Sequence, residues 1–142
     1  MKTVQLLEES LDIRAHYQAR YEYLMIDEFQ DTNVAQYRLA KLITGDKHNI
    51  CVVGDPDQSI YSWRNADIRN ILNFQSDYPA AKVVALEQNY RSTGNILQAA
   101  KTLIASNGIR VEKDLFTDND AGELLTVHEA YEIGRASCRE RV

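Results

Sequence analysis

Apolar residues along this chain fall into short runs separated by polar clusters, and the runs alternate between helical and strand-like spacing. Val4, Leu7 and Leu11 recur at three- and four-residue intervals, which predicts a helix near the start. Tyr23 to Ile26 is a compact apolar run that predicts a buried strand, ending at Asp27-Glu28. Asn33, with Gln36 three residues on, has the form of a capping box. It opens a helix whose apolar face is Ala35, Leu39, Leu42 and Ile43, and Gly45 closes it.

A second strand is expected over Ile50 to Val53, running into Gly54-Asp55-Pro56-Asp57, where glycine and proline force a turn. Ile68, Ile71 and Leu72 mark a helix that stops before Pro79. Lys82 to Leu86 reads as a third strand. Ser92 or Thr93 caps a further helix with the face Ile96, Ala99, Ala100, Leu103 and Ile104. Residues 107–123 are polar and read as a loop, and Leu124 to Val127 reads as the start of another strand. The alternation predicts an α/β fold, a parallel sheet with flanking helices. In such sheets ligands gather beyond the carboxyl ends of the strands. The clusters DEFQD, GDPDQ and EQNYR all occupy that position, and they converge on one edge if the strands are parallel neighbours.

Composition narrows the class. The chain has 142 residues, 44% hydrophobic and 26% charged, as in ordinary soluble domains. It has no apolar run long enough for a membrane span and no signal-peptide layout at its start, so a cytoplasmic location is expected. Cys51, in the run ICVV, reads as a small buried hydrophobe, and it and Cys138 do not suggest a disulfide framework. His16, His48 and His128 lack metal-ligand spacing, which sets zinc aside. The net charge of −5 runs against a nucleic-acid partner for the chain as a whole, although a binding groove is local.

Three clusters carry candidate chemistry. An apolar strand that delivers Asp27 and Glu28 has the form of a Walker B site. Magnesium prefers oxygen ligands and keeps several waters, so Asp27 suffices to hold it. Glu28 points another way by strand alternation, and it is placed to orient or deprotonate an attacking water. On Asp-Glu alone, an acidic turn that favours a helix N-terminus is the better account. In the second cluster Gln58 is a neutral donor and acceptor suited to sensing a terminal phosphate or its water. Tyr61, Trp63 and Arg64 offer stacking faces beside a cation, a combination that holds single strands without reading sequence. Core or interface packing is the alternative for the two aromatics. In the third cluster Tyr90 suits stacking on a base and Arg91 suits a γ-phosphate, with an ordinary Arg–carboxylate surface pair as the alternative.

DEFQDTN, GDPDQSIYSWRNAD and LEQNYRS, in this order, resemble motifs II, III and IV of superfamily 1 DNA helicases of the UvrD/Rep/PcrA type. The resemblance runs from about Tyr21 to Leu103 and more weakly to Ile133. It implies ATP and Mg2+ as cofactors, with Asp27 and Glu28 as the magnesium and catalytic carboxylates. It also implies that Gln58 couples the γ-phosphate to DNA binding and that Tyr61, Trp63 and Arg64 line the single-strand path. Tyr90 would stack on adenine, and Arg91 would be an arginine finger. The implied fold is a pair of RecA-like domains with ATP between them. The implied activity is 3′ to 5′ translocation on single-stranded DNA with separation of duplex at junctions.

By the same resemblance, residues 1–91 are part of the first RecA-like domain and 92–133 a linker helix and the start of the second. Residues 134–142 (GRASCRERV) fit neither the family pattern nor the preceding strand and read as a non-native tail. Asn65 stands where the family has glycine, and asparagine is the least costly replacement if that turn needs a positive φ. No G-x-x-x-x-G-K-[ST] loop occurs in the sequence, so the expectation is a fragment beginning after it. The missing remainder of the same polypeptide would complete the ATP site, and the fragment alone would be inactive. A piece of a helicase–nuclease subunit sharing these motifs is the nearer alternative.

Overall fold

The structure is a computed structural model that describes residues 2–108, 111 and 113–127. His128, Cys138 and the tail expected at 134–142 lie outside the described residues. The chain divides into two compact units, with the boundary between Val84 and Ala85. No helix among the described residues is long and apolar enough to cross a membrane.

The first unit is built around a parallel pair, β1 (Leu24–Ile26) and β2 (Ile50–Val52), in the register Leu24↔Ile50, Met25↔Cys51, Ile26↔Val52. Helices α1 (Lys2–Glu9) and α2 (Leu11–Arg20) precede the sheet, and α3 (Val34–Thr44) makes the crossover between its strands. Parallel neighbours need such a crossover, and a helix is its usual form. The capping box is present: Asn33 Oδ1 accepts from Gln36 N at 3.0 Å, and Gln36 Oε1 accepts from Asn33 N at 2.9 Å. Gly45 ends α3 at φ 54, where a side chain would be strained. Beyond β2 two short helices follow, α4 (Arg69–Leu72) and α5 (Phe74–Asp77). Val4 and Leu7 are buried as the spacing required, whereas Leu11, the third member of that stripe, is exposed because the chain breaks at Ser10 between α1 and α2.

One face of the sheet holds the core. Leu24, Ile26, Ile50 and Val52 pack against Phe29, Tyr37, Ala40 and Tyr78, with Ile71, Phe74 and Ala81 closing the cluster. Phe29 is fully buried and meets Tyr37 and Phe74 edge-on, with ring centroids 5.3 and 5.6 Å away. A buried phenylalanine in such a setting is worth about 3–5 kcal/mol against alanine. The other face is bare: Met25 and Cys51, side by side in the register, are both exposed. The burial expected for Cys51 is thus corrected, because the run ICVV alternates faces and Cys51 falls on the uncovered one.

Two expected strands find no partner among the described residues. Lys82–Leu86 joins no ladder among the described residues, and Val83, Val84 and Leu86 are exposed. Its β-branched composition supplies propensity, and a strand also needs a partner for its backbone groups. Leu124–Val127 likewise pairs with no strand among the described residues and is exposed.

The second unit contains α6 (Gly94–Ile104), with Thr93 at its N-cap. The residue it buries is Leu97, while Ile96 and Leu103 are exposed, so its inward face is rotated from the one expected. Within the expected loop, residues 113–123 are held against this helix and the chain before it. Phe116 N donates to Glu87 O at 3.0 Å, Asn89 N donates to Phe116 O at 2.7 Å, and Gly94 N donates to Asp120 O at 3.0 Å.

Candidate functional site

The first two polar clusters meet because β1 and β2 are parallel neighbours and end together. Phe29 N donates to Val53 O at 2.9 Å and Val53 N to Ile26 O at 2.8 Å, which ties the two strand ends just where the carboxylates begin. Asp27 and Glu28 are both exposed there, and Asp27 Oδ1 accepts from Glu28 N at 2.9 Å. Glu28 is redirected by its backbone, not by strand alternation: β1 has already ended, and Glu28 sits in the left-handed region at φ 49, ψ 44. From there the chain enters a 3-10 turn, Phe29–Asp31, anchored by the buried ring of Phe29.

Gln30, which the sequence reading passed over, lies at the centre of the site and is almost fully buried. Its Nε2 donates to Glu28 Oε2 at 2.8 Å, and its Oε1 accepts from Asp55 N at 3.0 Å. Asp55 in turn caps a 3-10 turn, Pro56–Gln58: its Oδ1 accepts from Asp57 N at 3.0 Å and its Oδ2 from Gln58 Nε2 at 2.8 Å. A continuous hydrogen-bonded path thus runs from the Glu28 carboxylate to the Gln58 side chain. No sequence signal marked Gln30, because a glutamine in a polar cluster has no periodicity to betray its burial.

Beyond Gln58 the chain forms another such turn, Ser62–Arg64. Arg64 Cζ lies 4.5 Å from the Trp63 ring centroid and 5.1 Å from that of Tyr61. Trp63 is 70% exposed, which rules out the core as its place within this unit. Asn65 ends the turn at φ 63, so the positive φ that the family's glycine suggested is present, and asparagine occupies it. Two bonds then fasten the segment back to the carboxylate turn. Asp67 N donates to Thr32 O at 2.9 Å, and Asn70 Nδ2 donates to the same oxygen at 3.0 Å. Arg69, bonded to Asp67, holds that carboxyl below its usual range.

In the second unit, Tyr90 exposes its ring while its hydroxyl donates to Gln88 Oε1 at 2.6 Å. Gln88 Nε2 donates to Asp118 Oδ2 at 2.7 Å. Asn89 Oδ1 accepts from Arg91 N and Ser92 N at 3.0 and 2.8 Å, forming a side-chain turn that presents Arg91 to solvent. Among the described residues Arg91 forms no ion pair.

The donor chemistry of Asp27 and Glu28 suits Mg2+, a hard cation that takes carboxylate oxygens and retains water. Among the described residues no three His, Cys, Asp or Glu side chains cluster as a complete metal cage.

Residues 1–79 match the model of the UvrD/REP helicase N-terminal domain. The chain is 52% identical over 130 residues to the ATP-dependent DNA helicase PcrA of Staphylococcus epidermidis, covering 92% of this chain and 18% of that protein. It is similarly 52% identical over 130 residues to the protein of that name from Leuconostoc citreum, covering 92% and 17%. To the one from Staphylococcus aureus it is 51% identical over 130 residues, covering 92% and 18%. The chain therefore spans less than a fifth of the length of these relatives. On the matched residues, the chain belongs to the UvrD/REP helicase N-terminal domain family.

Proposed function

We propose that this chain is part of an ATP-dependent DNA helicase that couples ATP hydrolysis to 3′ to 5′ movement on single-stranded DNA and to duplex separation at junctions. The observation that carries the reading is the parallel pairing of β1 and β2, which sets Asp27 and Glu28 beside the Asp55–Gln58 turn at one sheet end. Nucleotide ligands gather at such strand ends in α/β sheets. The two-stranded sheet and its crossover helix are, on this reading, part of a RecA-like domain, with motifs II, III and IV at DEFQDTN, GDPDQSIYSWRNAD and LEQNYRS.

Asp27 and Glu28 would hold Mg2+, which supplies charge neutralisation for the transferred phosphoryl group. Glu28 accepts the proton of a water whose oxygen attacks the γ-phosphorus as the bond to the β-phosphate oxygen breaks. Gln58, whose amide is oriented by Asp55, positions that water or the γ-phosphate. Trp63, Tyr61 and Arg64 form a stacking and cationic platform for bases. Tyr90 offers its exposed ring to adenine, and Arg91 offers a guanidinium to the γ-phosphate. Such a protein works in the cytoplasm, and the rest of the polypeptide completes its ATP site. The 142-residue chain contains no phosphate-cradling loop, and by itself it is not expected to turn over ATP.

The test is hydrolysis by the full-length protein carrying this chain, with and without single-stranded DNA. DNA-stimulated turnover that is lost in Glu28→Gln, with single-strand binding retained, is the expected result. Turnover indifferent to DNA, or unchanged by Glu28→Gln, would overturn the assignment.

A further inference from the structure

Gln30 is the residue on which the site's hydrogen bonds converge. Its amide spends both ends on the two strand termini, donating to Glu28 Oε2 and accepting from Asp55 N. A longer approach of 3.5 Å runs from Nε2 to Asp31 Oδ2, and the backbone oxygen of Gln30 accepts from Ser59 Oγ at 3.4 Å. Only 1% of the residue is exposed, so water cannot replace a lost partner at little cost. Gly54 is shaped to this amide: a Cβ there would lie 2.6 Å from Gln30 Oε1. Two residues beyond Gln30, the carbonyl of Thr32 accepts from Asp67 N and Asn70 Nδ2 and so holds the start of α4, just past the aromatic platform.

We infer that Gln30 is a positioning residue that makes the carboxylate turn and the Gln58 turn move as one body, so that Glu28 is placed for hydrolysis only when the DNA-side segment is in place. An amide is suited to this task because a single planar group donates to one strand end and accepts from the other. A shift of the Asp55–Gln58 turn pulls on Oε1, and the same rigid group moves Nε2 against Glu28. Displacement of a reacting group by about 1 Å can cost roughly 10²-fold in rate. Gln30 touches neither nucleotide nor DNA in this account and acts through Glu28 and Asp55. The inference rests on the helicase reading above.

The test uses the full-length protein carrying this chain. Gln30→Met keeps length and removes both bonds, while Gln30→Glu keeps the acceptor for Asp55 N and removes the donor to Glu28. Both variants should lower the DNA-stimulated kcat by about 10- to 100-fold with the KM for ATP within about twofold. Combined with Gln58→Ala, either should cost far less than it does alone, because both residues lie on one path. Should these variants fail to fold, Gly54→Ala displaces the same amide while leaving it intact, and it must show the same fall in kcat at constant KM.

Stimulated kcat at the wild-type level in any folded Gln30 variant, or in Gly54→Ala, would sink the inference and leave the helicase reading standing. So would full additivity with Gln58→Ala. A wild-type protein without DNA-stimulated turnover would overturn both.

Discussion

The hydroxyl of Tyr37 donates a 2.6 Å hydrogen bond to Oδ2 of Asp77, which lies forty residues later in the chain. The same carboxylate oxygen takes a 2.7 Å bond from Lys41 Nζ, so the crossover helix α3 and the last helix of the unit are joined at one atom. Lys41, and then Tyr37, hold the Asp77 carboxyl below the usual carboxylate range. A carboxyl depressed in the fold contributes stability above its unfolded pKa of about 3.9, and that contribution is lost as pH falls through the lower folded value. Asp77→Asn should therefore lower stability near neutral pH, by about 1 kcal/mol given the partial exposure of the pair. The gap to the wild type should close in acid denaturation series carried below the folded pKa. A gap that persisted or widened there would assign the loss to packing.

The same bond acts in the opposite sense on the tyrosine. Burial, with the Asp77 bond next, pushes the Tyr37 hydroxyl above its ordinary value. Its contribution is present below the unfolded pKa of about 10 and declines as pH rises beyond it. Tyr37→Phe should flatten the alkaline arm of the stability profile, read by denaturant titration at mildly and strongly basic pH.

On the aromatic platform, Trp63→Ala should weaken single-strand affinity of the full-length protein by about 1–3 kcal/mol. Arg64→Gln, which removes the cation over both rings, should cost about 0.5–1 kcal/mol and lessen the salt dependence of binding. Fluorescence anisotropy of a labelled oligonucleotide at two ionic strengths measures both. Unchanged affinity in Trp63→Ala would refute the stacking role.

Arg91→Ala should reduce DNA-stimulated ATP turnover by about 10³-fold or more, the scale of an arginine finger, with oligonucleotide binding largely intact. Tyr90→Phe keeps the ring and removes only the bond to Gln88, so a change of a few-fold in the KM for ATP is expected, against a much larger one in Tyr90→Ala. Steady-state kinetics across the three variants separates phosphate chemistry from base stacking.

Asn65 is held at φ 63, where glycine is unstrained. Asn65→Gly should leave stability within a few tenths of a kcal/mol, whereas Asn65→Val should cost about 1–2 kcal/mol or more. Thermal melts of the two variants decide it.

The elements most legible in the sequence were those specified by local chemistry. The Asn33–Gln36 box and the Gly45 stop act within a few residues of themselves, and both stand where the sequence puts them. The candidate residues stand out by type because two carboxylates after an apolar run, or an arginine beside two aromatics, are uncommon combinations. What depended on distant partners was not legible. Lys82–Leu86 has strand composition and finds no ladder, and α6 turns Leu97 inward in place of its larger apolar stripe. Cys51 is exposed because burial on a sheet is decided face by face, and an apolar run does not say which face is covered. Gln30 was the costliest omission, since its role comes from bonds to Glu28 and Asp55, and Asp55 lies 25 residues away.

The left-handed backbone at Glu28 bears on any attempt to engineer this protein. A glutamate held there forgoes about 1–2 kcal/mol that glycine would recover, less whatever the bond from Gln30 returns. A library selected for heat resistance alone would therefore drift toward glycine at position 28, and its best-surviving members would be those that had discarded the carboxylate proposed as general base.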